Sequence, residues 1–151
     1  MVSIMSASSG AKVPWHLWVV GSVGLLWNAF GCIDYTMTAL QGEVWLRQMG
    51  MTDAQITSYE AMPAWMTAVW AIGVWGAMLG TVLLLLRKKL AVPVFVISLI
   101  AYVGSLVYAY ALSDQAATMP DGTWIMQAVI LVGCLFFVLY SRMMAQRGLL
   151  R

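Results

Sequence analysis

Residues 64–86 read AWMTAVWAIGVWGAMLGTVLLLL, and the basic residues Arg87, Lys88 and Lys89 follow directly. A helix needs about 20 predominantly apolar residues to cross a bilayer, and this stretch is long enough and carries no charged residue. It therefore predicts a membrane-spanning helix that ends at a basic turn.

The composition of the whole chain agrees with a membrane protein. Of the 151 residues, 62% are hydrophobic and 9% are charged, whereas soluble domains have roughly 45–50% apolar and ~25% charged residues. The basic residues are too scattered to form the positive face that nucleic-acid binding requires. We therefore expect the lipid bilayer as the partner and no nucleic-acid partner.

Three further apolar runs accompany the first one. The four runs span about 17–36, 64–86, 92–112 and 124–141. Pro14, Pro63 and Pro93 stand at or near three of the starts, where the missing N–H of proline costs nothing. The short connection after residue 86 can form only a helical hairpin. The sequence predicts an all-α fold in which an antiparallel four-helix bundle forms one domain over 1–151, with an outer loop at 37–62.

The basic residues also predict the orientation of the bundle. With four crossings, one side of the membrane holds both termini and seven of the eight basic residues, namely Lys12, Arg87, Lys88, Lys89, Arg142, Arg147 and Arg151. Arg47 alone lies on the other side. By the positive-inside rule, we expect both termini in the cytoplasm of a bacterium and the bundle in its inner (plasma) membrane.

The outer loop carries helix signals of its own. Thr52-Asp53-Ala54-Gln55 has the form of a capping box, and Gly50 can end a preceding turn in the left-handed conformation. These features predict two short interfacial helices, with Trp45 facing the headgroups.

Small residues follow one face of the second spanning helix. Gly73, Gly76 and Gly80 form this face, and Gly76-x-x-x-Gly80 has the spacing that lets two membrane helices approach closely. We expect these glycines to be helix-packing residues, with the polar side chains of the bundle turned inward because lipid cannot satisfy them.

Asp34 and Asn28 interrupt the first apolar run, and Tyr35 follows Asp34 directly. A charged residue at the bilayer centre costs at least ~2.5–3.5 kcal/mol, which favours a functional role. Asp34 lies near the outer end of the run, however, where water is closer. One interpretation is that Asp34 accepts hydrogen bonds and holds the helix in register. The other is that Asp34 binds a proton or cation, with Asn28 and Tyr35 continuing a polar path.

No pattern typical of an enzyme occurs in the spans. His16 is the only histidine, which excludes a multi-histidine metal site or two-histidine haem ligation within one chain. Nucleophile–base pairs, phosphate loops and carboxylate pairs are missing from the apolar runs. We expect a non-enzymatic protein with no catalytic residues, no metal site and no cofactor.

The pattern Trp27-Asn28-x-x-Gly31-x-x-Asp34-Tyr35, with the glycine-rich second helix and its basic end, resembles a group of small bacterial inner-membrane proteins. The similarity extends over about residues 15–110. Some members of that group carry the label sugar transporter. The resemblance implies a four-helix membrane protein without an established chemistry.

Two functional hypotheses follow. In the first, the protein is a non-enzymatic accessory or assembly module that packs through small-residue helix faces, as a homo-oligomer or within a larger membrane complex. In the second, it is a small proton- or cation-coupled solute transporter that uses Asp34. The role of Asp34 separates the two hypotheses.

Overall fold

The computed structural model describes residues 12–151, and its architecture there is entirely helical. Six α-helices follow in chain order: α1 (Trp15–Gln41), α2 (Glu43–Gln48), α3 (Asp53–Glu60), α4 (Ala64–Leu85), α5 (Ala91–Val107) and α6 (Thr123–Gln146). A π-helical turn, Tyr108–Leu112, extends α5, and a 3-10 turn, Gln115–Thr118, precedes α6.

Four of these helices, α1, α4, α6 and α5 together with its π-helical turn (Ala91–Leu112), are long and apolar enough to cross a membrane. This confirms the four predicted helices. Helix α1 continues to Gln41, beyond the predicted limit at residue 36. The prediction followed the apolar run, and the helical hydrogen bonds extend past the end of that run. Pro14 and Pro63 directly precede α1 and α4, and Pro93 lies in the first turn of α5.

The long helices pack as a row in which α1 lies on α4, α4 on α5 and α5 on α6. The α4–α5 contact is the most extensive, and the glycines of α4 make it possible. A Cβ on Gly80 would lie 2.8 Å from the ring of Phe95, and one on Gly76 would lie 3.4 Å from the Cβ of Ser98. The two backbones can approach this closely because these side chains are missing.

The apolar core lies at the end of the bundle that carries the turn between α4 and α5, which we call the turn end. Leu17, Leu84, Phe95 and Met144 are buried there. Gly148, at a φ of 74°, reverses the chain after α6. The reversed segment is tied to the turn, because the N–H of Lys89 donates to the carbonyl of Arg151 over 2.8 Å and Leu150 is buried beside it.

The opposite end, which we call the loop end, carries α2 and α3. The predicted capping box of α3 is present, since Thr52 Oγ1 accepts from the N–H of Gln55 and Gln55 Oε1 accepts from the N–H of Thr52. Gly50 has a φ of 86°, which suits the predicted left-handed turn. Arg47 joins the two short helices by ion pairs to Glu43 at 2.6 Å and Asp53 at 2.7 Å.

Candidate functional site

A cavity of about 620 Å³ lies between the four long helices, on the loop-end side of the core. Its floor is formed by the stacked rings of Phe95 and Phe137, whose centroids are 5.2 Å apart. The half of the bundle at the turn end is therefore packed, and the other half is hollow.

The walls of the cavity are mainly apolar and come from every long helix. Helix α1 contributes Trp27 and Phe30, α4 contributes Val69 and Trp70, and α6 contributes Met126 among others. The polar side chains in the wall are few: Asn28, Asp34, Ser98, Tyr102, Ser105 and Cys134.

Most hydrogen-bond donors among these polar residues are already engaged within the protein. Ser98 Oγ donates to the carbonyl of Gly73 over 2.7 Å, and Ser105 Oγ donates to that of Tyr102 over 2.6 Å. The Tyr102 hydroxyl donates to the carbonyl of Gln127 over 3.0 Å. The bonds of Ser98 and Tyr102 join neighbouring helices, whereas that of Ser105 lies within α5, and none of the three hydroxyls has a hydrogen left to offer a ligand.

Asn28 is similarly committed to the α1–α4 contact. Its Nδ2 donates to Thr81 Oγ1 over 2.8 Å and to the carbonyl of Ala77 over 3.3 Å. The carboxamide oxygen is an acceptor. Asn28 therefore brings an acceptor to the cavity and no spare donor.

Asp34 supplies the negative charge of the cavity wall. Its Oδ1 accepts a hydrogen bond of 2.8 Å from the indole Nε1 of Trp45 in α2. Trp45 is thus half-buried and bonded to α1. Within residues 12–151, no basic side chain forms an ion pair with Asp34.

Tyr35, the third residue of the predicted polar path, lies elsewhere. Its ring packs edge-on against Trp70 with centroids 4.8 Å apart, and Tyr59 of α3 packs against the same indole at 6.1 Å. Tyr35 is not among the residues that line the cavity. The structure therefore brings Asp34 and Asn28 together on one cavity and assigns Tyr35 to an aromatic contact beside it.

The predicted packing glycines lie at the α4–α5 contact. Gly73 faces Ala101, Gly76 faces Ser98 and Gly80 faces Phe95. Helix α5 of the same chain thus fills the small-residue face of α4. Gly73 also borders the cavity.

The cavity wall is incomplete between α1 and α6. These two helices touch near the turn end, where His16 Nδ1 lies 2.6 Å from the Tyr140 hydroxyl and Gly24 receives the Phe137 ring. They share little contact elsewhere, since the row of packed helices runs through α4 and α5. Lining residues on both sides of this gap are strongly exposed, with Trp27 at 51%, Phe30 at 64% and Met126 at 55%.

Gly133 of α6 lines the cavity and has open space beside it. A Cβ added to this residue would meet no atom within 4 Å. No sequence pattern singles out Gly133 or Phe137, because their importance depends on which face of α6 turns toward α1. Trp45 was also missed as a partner of Asp34, since α2 must first fold back onto α1 to bring the two together.

The chemistry that this arrangement offers is binding. In residues 12–151, no group of three His, Cys, Asp or Glu side chains is placed to hold a metal ion. The cavity presents an apolar volume, aromatic faces and one carboxylate, which together suit a ligand with a positive charge and an apolar surface.

Comparison with known proteins adds no relative. No family model, curated protein or solved structure matches the chain significantly.

Proposed function

We propose that this protein is a small membrane transporter, non-enzymatic and multi-pass, that binds a cationic solute in the cavity beside Asp34. One observation carries the proposal: Asp34 lines a largely apolar cavity and has no basic partner among residues 12–151. An acid among spanning helices that is not paired with a basic residue is a functional-site hypothesis by default. A cationic solute would supply the missing charge.

The accessory-module hypothesis finds less support. It needs the glycine face of α4 to receive a partner, and α5 occupies that face at Gly73, Gly76 and Gly80. A partner would have to use another surface, such as the gap between α1 and α6. The transporter hypothesis uses the cavity as it stands.

A sugar is a poor match for the cavity. Carbohydrates present many hydroxyl groups, and each one loses its bonds to water unless the protein replaces them. The hydroxyls of Ser98, Tyr102 and Ser105 are bonded to backbone carbonyls. The carboxylate and apolar walls favour a cation instead.

We place the protein in a bacterial inner membrane as an antiparallel bundle with both termini in the cytoplasm. The residue pairs Gly73–Ala101 and Gly80–Phe95 support the antiparallel arrangement, since the residue number rises along α4 as it falls along α5. The seven-to-one division of basic residues supports the cytoplasmic termini.

Cysteine labelling tests this orientation in intact cells. In a background with Cys32→Ala and Cys134→Ala, Asp53→Cys should react with a membrane-impermeant maleimide, whereas Lys88→Cys should react only after permeabilisation. The reverse labelling pattern would overturn the orientation.

Uptake into proteoliposomes tests the function. An inside-negative potassium diffusion potential would drive uptake of labelled sodium, rubidium, methylammonium, choline or benzyltrimethylammonium, each measured separately. We expect at least one cation to enter faster than into protein-free liposomes. Asp34→Asn should reduce that uptake by roughly tenfold or more, because removing one partner of a desolvated charge pair costs well over a factor of ten.

Asp121→Asn is the matched control, because Asp121 is an exposed acid in the turn before α6. This variant should transport at the wild-type rate. Uptake equal to the protein-free background for all five cations, or undiminished uptake by Asp34→Asn, would refute the proposal.

A further inference from the structure

We infer that the ligand is a hydrophobic monocation, an ammonium group attached to an apolar body, and that it enters the cavity sideways from the bilayer between α1 and α6. This inference rests on the proposed cation site at Asp34 and specifies which cation the site takes and by which route.

The charge of the ligand follows from Asp34. Among residues 12–151, Asp34 is the only Asp, Glu, Lys or Arg that lines the cavity, and one of its oxygens accepts from Trp45. One negative charge in an apolar volume is matched by one positive charge, whereas a dication would leave an unpaired charge in the apolar volume. The ligand is therefore a monocation.

The apolar body of the ligand follows from the walls. A volume of about 620 Å³ lies within the range of roughly 300–1,000 Å³ of pockets for drug-sized ligands. An inorganic ion would leave most of this volume unfilled. The side chains of Val69, Ile130 and Phe137 cannot form hydrogen bonds to the water molecules that would surround the ion. An apolar body attached to the cation would fill the volume.

The aromatic residues favour an ammonium ion as the charged group. Trp27, Phe30 and Asp34 lie at positions i, i+3 and i+7 of α1, so they share one face of the helix. All three border the cavity. An ammonium ion bound to the carboxylate can also contact the aromatic faces, which attract cations.

The route follows from the gap between α1 and α6. The cavity residues beside this gap are half-exposed or more, and the surface around them is apolar, including Ile33 at 57% and Val129 at 52%. In a membrane this surface faces acyl chains. A hydrophobic ammonium that partitions into the bilayer can therefore reach Asp34 without crossing the loop helices.

Two other occupants are less suitable. A phospholipid ammonium carries a phosphate close to it, which the Asp34 carboxylate would repel, and within residues 12–151 no Lys or Arg borders the cavity to bind the phosphate. A transmembrane helix from a second copy would have to continue through the whole bilayer, whereas Phe95 and Phe137 close the cavity at its floor. A free hydrophobic amine fits both the charge and the space.

Equilibrium binding of tritiated tetraphenylphosphonium, a hydrophobic monocation that serves as a phosphonium analogue of the ammonium, to the protein in phosphatidylcholine nanodiscs tests the inference. We expect saturable binding above that of empty nanodiscs, reduced at least tenfold in affinity by Asp34→Asn and unchanged by Asp121→Asn. Benzyltrimethylammonium should compete, and its uncharged carbon isostere should not. The absence of saturable binding, or equal affinity in Asp34→Asn, would overturn the inference.

A pair of glycine variants tests the placement of the ligand in the cavity. Gly133→Leu places a side chain at the cavity wall, and Gly104→Leu places the same side chain on α5 outside the cavity; neither Cβ would meet an atom within 4 Å. We expect Gly133→Leu to weaken binding at least tenfold and Gly104→Leu to leave it unchanged. Equal binding by the two variants would contradict the placement of the ligand.

The lipid composition separates a free amine from a lipid headgroup. Nanodiscs of phosphatidylethanolamine should bind tetraphenylphosphonium as phosphatidylcholine nanodiscs do, whereas competition by phosphatidylethanolamine would show that a phospholipid occupies the cavity. Uptake of sodium or methylammonium that depends on Asp34, without binding of tetraphenylphosphonium, would overturn this inference and leave the proposed function standing. Loss of both would overturn both.

Discussion

The indole N–H of Trp45 donates to the carboxylate of Asp34 over 2.8 Å, joining the short helix α2 to the long helix α1. The two residues are eleven positions apart in the chain, and the turn at Gly42, with a φ of 54°, brings α2 back to α1. The same carboxylate borders the cavity, so the proposed cation site and the loop helices share one group.

Replacing Trp45 by phenylalanine should loosen α2. The variant keeps an aromatic ring and loses the N–H donor, and a hydrogen bond to a charged group contributes about 1.5–3 kcal/mol. We expect the backbone amides of residues 46–51 to exchange with deuterium roughly tenfold faster or more, as measured by mass spectrometry.

Trp65→Phe is the control, since Trp65 lies on α4 and packs edge-on against Tyr108. It should leave exchange in α2 unchanged. In an Asp34→Ala background, Trp45→Phe should have no further effect, because the two residues act through one bond. Unchanged exchange in Trp45→Phe would show that the bond does not hold α2.

Gly80→Ala should destabilise the bundle. The new methyl group would lie 2.8 Å from two ring carbons of Phe95, which is buried and stacked on Phe137 and so has little room to move. Overpacking of this kind costs about 1–3 kcal/mol. Thermal unfolding in detergent should show a lower Tm.

Gly104→Ala provides the comparison for Gly80→Ala, since its added methyl group meets no atom within 4 Å. It should unfold at the wild-type temperature or above, because alanine favours the helix. Equal Tm values for the two alanine variants would mean that α5 shifts away from α4 at no cost.

Asn28→Leu should weaken the contact between α1 and α4. The substitution keeps a similar side-chain volume and removes the hydrogen bond to Oγ1 of Thr81, a fully buried residue. Hydrogen bonds between membrane helices contribute on average about 0.6 kcal/mol and at most about 1.7. A free energy of unfolding from denaturant titration should fall by an amount in that range.

The matching variant is Thr81→Val, which removes the other partner of the bond. The two substitutions together should cost less than the sum of their separate costs, because they break the same interaction. Strict additivity would show that Asn28 and Thr81 contribute independently.

The hydroxyl of Tyr59 should titrate at an unusually high pH. Burial of its ring, followed by the charges of Tyr35 and Asp34, raises the pKa of Tyr59 above its ordinary value. The folded protein thus holds the phenolic proton more tightly than the unfolded chain does. The resulting stability is fully present below the unfolded pKa of about 10 and is lost as the pH rises through the folded pKa.

Carbon NMR of ring-labelled tyrosine can follow this titration. Asp34→Asn should lower the pKa of Tyr59 part of the way toward the ordinary value, because it removes one of the charges. Asp121→Asn should leave the titration curve in place. A Tyr59 curve that Asp34→Asn does not move would mean that the carboxylate is too distant or too well screened to act on α3.

The sequence predicted the four long helices because apolar runs of sufficient length, with prolines near their starts, have few alternatives in a bilayer. It also predicted α3 through the capping box at Thr52 and Gln55, whose two bonds are local. Asn28 and Asp34 stand out in the sequence because both interrupt one apolar run. All these features depend on residues close together in the chain.

The cavity depended on tertiary structure. It exists because α1 meets α6 near the turn end and leaves a gap toward the loop end. The two helices are about a hundred residues apart along the chain, so no local sequence pattern encodes how they meet. The same is true of Tyr35, which turns to Trp70, and of Trp45, which reaches Asp34. Periodicity predicted which residues share a face of a helix, and only the packing of the helices decided what each face contacts.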